Sequence, residues 1–376
     1  MRAVFPTDKL KAAVSAISPV VPSRTPMDVL KNIKIVVGHD SCEISARDAE
    51  MSAVIFVRGV ECGLPGEILL PCDRFSQILR EASGDVVKID CDDGIANVTI
   101  GRSKFRIPTE DPTTLEVFCD FPETGYRTVA ATDMKRIAAR CCIVSNEEKN
   151  SAFGGVHFEF IDGLNCISSD GKCLSMVTCV CGSEGDVPAT EIVVDKRGFP
   201  SEKSQKIVSK RALKVLQSCL GSEGNVDIAT TADTITLRHG DVTIRSQLIH
   251  GIYPNWRRVF PSSCQHNIEL SSPHLANAIR QSMITTEAES ACVDFVFADG
   301  VLTLKSHGKG DSTVELPISF DGKYQFLMDP KFVLTAISLA DRNGSITIGI
   351  NSPEKPILIT SNDGLRFIAA TTTRGE

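Results

Sequence analysis

The sequence predicts an α+β chain of three similar domains, each with two helices packed on antiparallel sheets. Three observations predict it. Helical periodicity recurs six times along the chain, each helix is followed by short alternating segments, and prolines interrupt the pattern near residues 112–122 and 254–261. A chain of 376 residues is also too long for one hydrophobic core. The domains fall at 1–125, 126–258 and 259–376, and the repeat is one of build rather than of residue identity.

Residues 7–18 read as the first helix, with Leu10, Ala13, Val14 and Ile17 on one face and Pro19 and Pro22 ending it. Alternating segments follow at 33–37, 42–46 and 53–57. A second helix over 71–82 turns Phe75, Ile78 and Leu79 inward and leads to a meander at 86–90, 95–100 and 104–107. The order then recurs. A helix at 132–144 precedes strands at 155–160, 165–168 and 175–178, and a helix at 209–220 precedes strands at 226–229, 234–237 and 242–248. Helices at 272–284 and 329–340, with strands at 292–297, 301–304, 345–348 and 356–359, complete the third domain.

Composition narrows the function. The chain is 42% apolar and 6% aromatic, ordinary for a soluble globular protein, and has no apolar run of about 18 residues to cross a membrane. Met1 to Asp8 has no apolar signal region, so no export is expected. The fourteen cysteines are scattered and form no Cys-x-x-Cys pair; several fall at apolar positions, where a reduced thiol acts as a small hydrophobe. The expectation is a reducing cytoplasm, no metal and no cofactor. Two glycosylation patterns, Asn97-Val-Thr99 and Asn343-Gly-Ser345, carry no meaning there.

Charge is distributed unevenly. The six helices carry twelve Lys and Arg against five Asp and Glu, a balance of +7 in a chain whose net charge is −7. Three of those acids, Asp73, Asp133 and Asp329, stand at helix starts, where they favour the dipole. A basic helix layer in an acidic protein implies a surface facing a polyanion, with outer surfaces that repel it. No base-reading motif accompanies it, so contact would be with phosphates, without sequence preference. No Rossmann fingerprint or phosphate loop is present.

One stretch stands out, Ser246-Gln-Leu-Ile-His-Gly-Ile-Tyr-Pro-Asn-Trp-Arg-Arg-Val-Phe-Pro261. Ile244, Leu248 and Ile252 are spaced for one buried face, and Gly251 and Pro254 stop the strand. The only tryptophan, two arginines, a valine and a phenylalanine then lie between prolines, the composition of a protein-binding hot spot. The plainer alternative is a linker whose Trp256 plugs a gap between domains.

Four stretches together resemble the beta subunit family of bacterial DNA polymerase III, the DNA sliding clamps. They are Arg24-Thr-Pro with Val29-Leu-Lys-Asn-Ile33, Gly101-Arg-Ser-Lys-Phe105, Gly155-Val-His-Phe with Ser169-Asp-Gly-Lys-Cys-Leu174, and Gly251-x-Tyr-Pro with Arg257-Arg-Val-x-Pro261. The resemblance spans essentially the whole chain. It implies a DNA clamp fold that dimerises head-to-tail into a ring with helices inside. Such a clamp encircles duplex DNA without catalysis and has no membrane partner. It tethers the replicative polymerase, clamp loader and repair polymerases through short peptides.

By that resemblance, partner peptides bind between the second and third domains at Phe160, Ser169, Gly171, Lys172, Cys173, Leu174, Pro254, Arg258, Val259, Phe332 and Ile368. Apolar walls with a few polar groups suit such a ligand. Phe105 on one edge and Met283 and Ile284 on another would form the dimer interface. DNA would meet Arg24, Arg74, Arg80, Lys135, Arg136, Arg140, Lys210, Arg211, Lys214 and Arg280. Two departures from the family bear on the pocket. Ser-Asp-Gly-Lys-Cys-Leu replaces the usual Thr-Asp-Gly-His-Arg-Leu, and the tail Phe367 to Glu376 lacks the usual Met-Pro-Met-Arg. A shallower pocket is therefore expected. Two rival readings are weighed. Ser169-Asp-Gly-Lys172 has the Ser-x-x-Lys spacing of acyl-enzymes but no Lys-Thr-Gly, and a scaffold that does not hold DNA could use the same repeat.

Overall fold

A computed structural model of the chain describes residues 1–145, 152–185, 205–286, 292–341 and 343–372. Among them, six modules follow one plan: a leading strand, a helix, then three strands. The first is β1 (Arg2–Pro6), α1 (Thr7–Ile17), β2 (Asn32–Val37), β3 (Cys42–Arg47) and β4 (Met51–Phe56), trailed by the short β5 (Glu61–Leu64). The second is β6 (Gly66–Pro71), α2 (Cys72–Arg80), β7 (Val86–Asp92), β8 (Ile95–Ile100) and β9 (Ser103–Pro108). The third is β10 (Tyr126–Ala130), α3 (Ala131–Val144), β11 (Gly155–Glu159), β12 (Leu164–Ser169) and β13 (Cys173–Cys179), trailed by β14 (Gly182–Glu184). The fourth is β15 (Lys206–Ser209), α4 (Lys210–Cys219), β16 (Asn225–Thr230), β17 (Thr234–His239) and β18 (Val242–Gln247). The fifth is β19 (His266–Ser271), α5 (Ser272–Ser282), β20 (Val293–Ala298), β21 (Val301–His307) and β22 (Asp311–Pro317). The sixth is β23 (Tyr324–Met328), α6 (Pro330–Leu339), β24 (Ser345–Ile350), β25 (Ile357–Ser361) and β26 (Arg366–Ala369).

Local chemistry accounts for these elements. Ser209 caps α4 by accepting from the Ala212 N–H at 3.1 Å, and Asp329 caps α6 by accepting from Lys331. Asp73 and Asp133 lie in the first turns of α2 and α3. Asp93-Gly94 and Asp299-Gly300 close two hairpins with both residues at positive φ, a conformation whose twist matches the flanking strands. The helix expected over 272–284 ends at Ser282, and Met283–Thr285 tightens into a 3-10 turn.

Leading strands exchange partners within each pair of modules. β1 pairs with β7 and β6 with β2; β10 pairs with β16 and β15 neighbours β11; β19 pairs with β24 and β23 with β20. The leading strands thereby cross-link the two modules of each pair.

The chain forms two compact units. The first comprises 1–135, 180–191 and 208–248; the second comprises 136–179, 192–207 and 249–376. In the first, the described strands make the sheets β5-β1-β7-β8-β9 and β14-β10-β16-β17-β18-β4-β3-β2-β6. In the second they make β15-β11-β12-β13-β26-β25-β24-β19 and β22-β21-β20-β23. The middle part of the sequence is thus shared out, because its sheets continue into those of its neighbours through β18·β4 and β13·β26. Phe5, Phe75, Ile33, Ile35, Ile44 and Leu69 are fully buried in the first unit, and Phe295, Phe297 and Phe367 in the second. Each such side chain contributes about 1.5–3 kcal/mol through burial.

Candidate functional site

In the second unit, a pocket of about 210 Å³ opens where β13 begins and β26 ends. Its wall includes Ser169, Gly171, Lys172, Cys173, Leu174, Pro254, Val259 and Ile368, together with Phe153, Tyr253, Trp256, Pro356 and Ala370.

The β12–β13 turn is self-supporting. Asp170 Oδ1 accepts from the N–H of Lys172 at 2.8 Å and of Cys173 at 2.7 Å. Ser169 Oγ accepts from the Gly171 N–H and donates to the Cys173 carbonyl at 2.7 Å. Gly171 has φ +89° and open space around its Cα, so backbone conformation rather than crowding requires glycine. Burial, with the Asp170 carboxylate beside it, pushes the Cys173 thiol far up, and it lines the pocket as a neutral side chain. The Ser169 hydroxyl is engaged inside a β-turn and Lys172 is exposed, an arrangement unlike the helix-opening serine of acyl-enzymes.

The segment after β18 forms the opposite wall. The Tyr253 N–H donates to Gln205 Oε1 at 2.5 Å, and the buried His157 stacks on the Tyr253 ring with centroids 5.2 Å apart. Burial, reinforced by the Arg257 charge, lowers the His157 pKa to about 4, so the ring is neutral near pH 7. Trp256 meets Phe260 edge-on at 5.8 Å and carries the Arg257 guanidinium 4.3 Å above its ring. Arg257 also grips Glu159 with two hydrogen bonds of 2.9 and 2.6 Å, while Arg366 lies over Phe260 at 4.9 Å. Alternating cations and rings thus pin this wall to β11 and β26.

Three expected pocket residues are placed elsewhere. Phe160 packs edge-on against Phe158, Phe332 packs on the core of the last two modules, and Arg258 is exposed without lining the cavity. Ile252 is also corrected: Ile244 and Leu248 are buried, but Ile252 is 59% exposed, because β18 stops at Gln247. Tyr253 and Trp256 stood in the aromatic stretch and could have been chosen from it. Phe153, Pro356 and Ala370 carry no local signal and reach the site only through tertiary packing.

Two of the ten basic residues are held by the protein's own groups. Arg140 is buried against Asp363 and the Leu339 carbonyl, and Arg211 is held by Asp48 and the carbonyls of Pro19 and Val20. Arg140 makes three such bonds and Arg211 four, so both guanidiniums are engaged within the protein. Arg24, Arg74, Arg80, Lys214 and Arg280 are exposed, whereas Lys135, Arg136 and Lys210 are half-exposed. Of the expected interface residues, Phe105 lies on β9 at 37% exposure, Ile284 is 78% exposed, and Met283 is half-buried. The cysteines are free thiols, and no described cluster of three or more His, Cys, Asp or Glu is placed to hold a metal. No described helix is long and apolar enough to cross a membrane.

Residues 1–118 match the family profile described as DNA polymerase III beta subunit, N-terminal domain. The beta sliding clamp of Chlamydia pneumoniae is 22% identical over 373 residues, covering 98% of each chain. That of Halalkalibacterium halodurans is 22% identical over 388 residues, covering 96% of each. Among solved structures, the sliding clamp of Pseudomonas aeruginosa bound to griselimycin superposes with a TM-score of 0.86 at 18% identity, over 99% of each chain. The Bacillus subtilis clamp does so at 0.86 and 18%, over 100% of each. The first 118 residues thus match the N-terminal-domain profile of the DNA polymerase III beta subunit, the chain is similar over nearly its whole length to beta sliding clamps, and its fold is that of the sliding clamps.

Proposed function

We propose that the chain closes head-to-tail with a second copy into a ring around duplex DNA and, without catalysis of its own, tethers polymerases, clamp loader and repair enzymes in the cytoplasm. The pocket beside Leu174 receives their short apolar peptides. Three domains at 1–125, 126–258 and 259–376 each contribute a pair of modules. The exposed bases, from Arg24 in the segment after α1 to Arg280 on α5, would contact phosphates without sequence choice.

The observation that carries this reading is a count of strand edges. In four of the six modules the last strand pairs with the last strand of another module. β4 pairs with β18 and β13 with β26, which leaves β9 and β22 at the ends of their sheets among the described residues. β9 presents Lys104 and Arg106, whereas β22 presents Asp311 and Glu315. Two open edges of opposite charge, equivalent to two filled joints, call for one more joint, and a second copy supplies it. Exposed Phe105 and Ile284 fit burial there, at about 1.5–3 kcal/mol each.

Sedimentation tests the assembly. The parent chain should run as a dimer and Ile284→Arg as a folded monomer; a dimeric Ile284→Arg would remove Ile284 from the interface. Loading on DNA tests the topology. Retention on circular but not linear duplex is expected, while equal retention on both would favour a scaffold over a ring.

A further inference from the structure

Arg140, near the end of α3, and Arg211, at the start of α4, make corresponding contacts at two different joints. In the second unit, Arg140 of α3 donates from Nε to the Leu339 carbonyl at 2.9 Å and from Nη1 to the Asp363 carbonyl at 3.2 Å. Its Nη2 pairs with the Asp363 carboxylate. Leu339 ends α6, so its carbonyl is an acceptor the helix itself leaves unpaired. Asp363 lies in the β25–β26 turn. In the first unit, Arg211 of α4 donates from Nη2 to the carbonyls of Pro19 and Val20, both at 2.7 Å and both just beyond α1. Its Nη1 pairs with Asp48, in the β3–β4 turn. In both cases a helix of the middle modules ties down the neighbouring module's helix end and its last hairpin.

The strand pair below Arg140 is short. It runs Cys173↔Ala369, Leu174↔Ile368, Ser175↔Phe367 and Met176↔Arg366. Its first two pairs supply the pocket residues Cys173, Leu174 and Ile368, and its far end runs into the hairpin that Arg140 holds. We infer that Arg140 is a positioning residue for the pocket, holding β26 in register with β13 and so setting how Ile368 stands against Leu174. This rests on the peptide-binding reading of the pocket for its functional consequence, though not for its geometry.

Trp256, the only tryptophan, lines the pocket and reports on it in the full-length protein. Arg140→Met should make Trp256 emission easier to quench with acrylamide. It should also weaken binding of a fluorescein-labelled pentapeptide bearing Leu and Phe by about fivefold or more, at a temperature where the variant is folded. Arg140→Lys should restore part of both, since it keeps the charge but not the fork. Arg211→Met, at the joint without this pocket, should leave both readouts at the parent values. Should Arg140→Met not fold, Asp363→Asn removes the ionic partner at little change of volume and is held to the same outcomes. Parent-like quenching and affinity in Arg140→Met, or in Asp363→Asn when it stands in, would overturn the assignment. Altered Trp256 quenching with no peptide bound even by the parent would support the positioning role while refuting the peptide reading.

Discussion

The β4·β18 joint of the first unit and the β13·β26 joint of the second are the same structure with different ends. Both are antiparallel pairs of last strands, and in both the strand ladder ends on an equivalent 2.9 Å backbone bond, Phe56 N–H to the Asp241 carbonyl or Ala370 N–H to the Lys172 carbonyl. The side chains at those positions differ. In the first unit, the Asp241 carboxylate takes two hydrogen bonds from Arg58, at 2.7 and 2.6 Å, and Phe56 stands beside it. The Arg58 hydrogen bonds hold the Asp241 carboxyl below its usual range. In the second unit, alanine replaces the phenylalanine, lysine replaces the aspartate, and Thr372 stands where Arg58 does. The linkers differ as well. Phe118 and Cys119 lie across the first joint, with Ser52 Oγ donating to the Phe118 carbonyl at 2.8 Å. The second linker instead stands an aromatic wall at the mouth of the pocket. A backbone joint needs only its ladder, so its end is free to become either a polar closure or an apolar site.

The largest break in this comparison should come from the buried ions. Arg140 has only 7% of its side chain exposed, so Asp363→Ala strands a buried guanidinium and should cost about 3–5 kcal/mol in urea unfolding. Asp48→Ala should cost less, because Arg211 is 38% exposed and keeps its carbonyl partners. Equal losses would deny the difference in burial its role.

Next comes pH. His157 is held at about 4 when folded and titrates near 6.5 when unfolded. The unfolded chain therefore gains a proton first as pH falls, and stability present above pH 6.5 is lost between 6.5 and 4, by on the order of 3 kcal/mol. His157→Leu should flatten that slope in denaturation curves across this window, and an unchanged slope would assign it to other groups.

Making the second joint resemble the first sharpens the comparison further. Ala370→Phe should fill the pocket and lower pentapeptide affinity about tenfold, a change worth about 1.4 kcal/mol, while sedimentation still shows a dimer. Undiminished binding in a calorimetric titration would place the peptide elsewhere. Leu174→Ala combined with Val259→Asp should abolish binding altogether. The smallest effect is expected from Asp241→Asn. That ion pair is exposed, so the thermal midpoint should barely move, and molar salt should do the same to the parent.

Much of this architecture was legible in the sequence. Leu10, Val14 and Ile17, or Phe75 and Leu79, recur at helical spacing because one helix face must leave water, and that face is the buried one. Alternation marked the three strands after each of the first four helices for the same reason, but only two after each of the last two, leaving β22 and β26 unread. The motif around Ser169 to Leu174 and the aromatic stretch after β18 were local too, and both reach the pocket.

The leading strands β1, β6, β10, β15, β19 and β23 went unread. They are short, two of them end in proline (Pro6 and Pro71), and each pairs with the sheet of the sister module, so no neighbour in sequence announces its partner. The same limit governs the charged residues. Arg140, Arg211 and Lys214 look alike along the chain, yet only packing brings Asp363 to the first and Asp48 to the second while leaving Lys214 in water. Hydrophobic period is a local property, and the chain alone determined the modules through it. Pairing of an edge strand or a guanidinium is a property of whatever residue the fold delivers, and only the tertiary structure decided it.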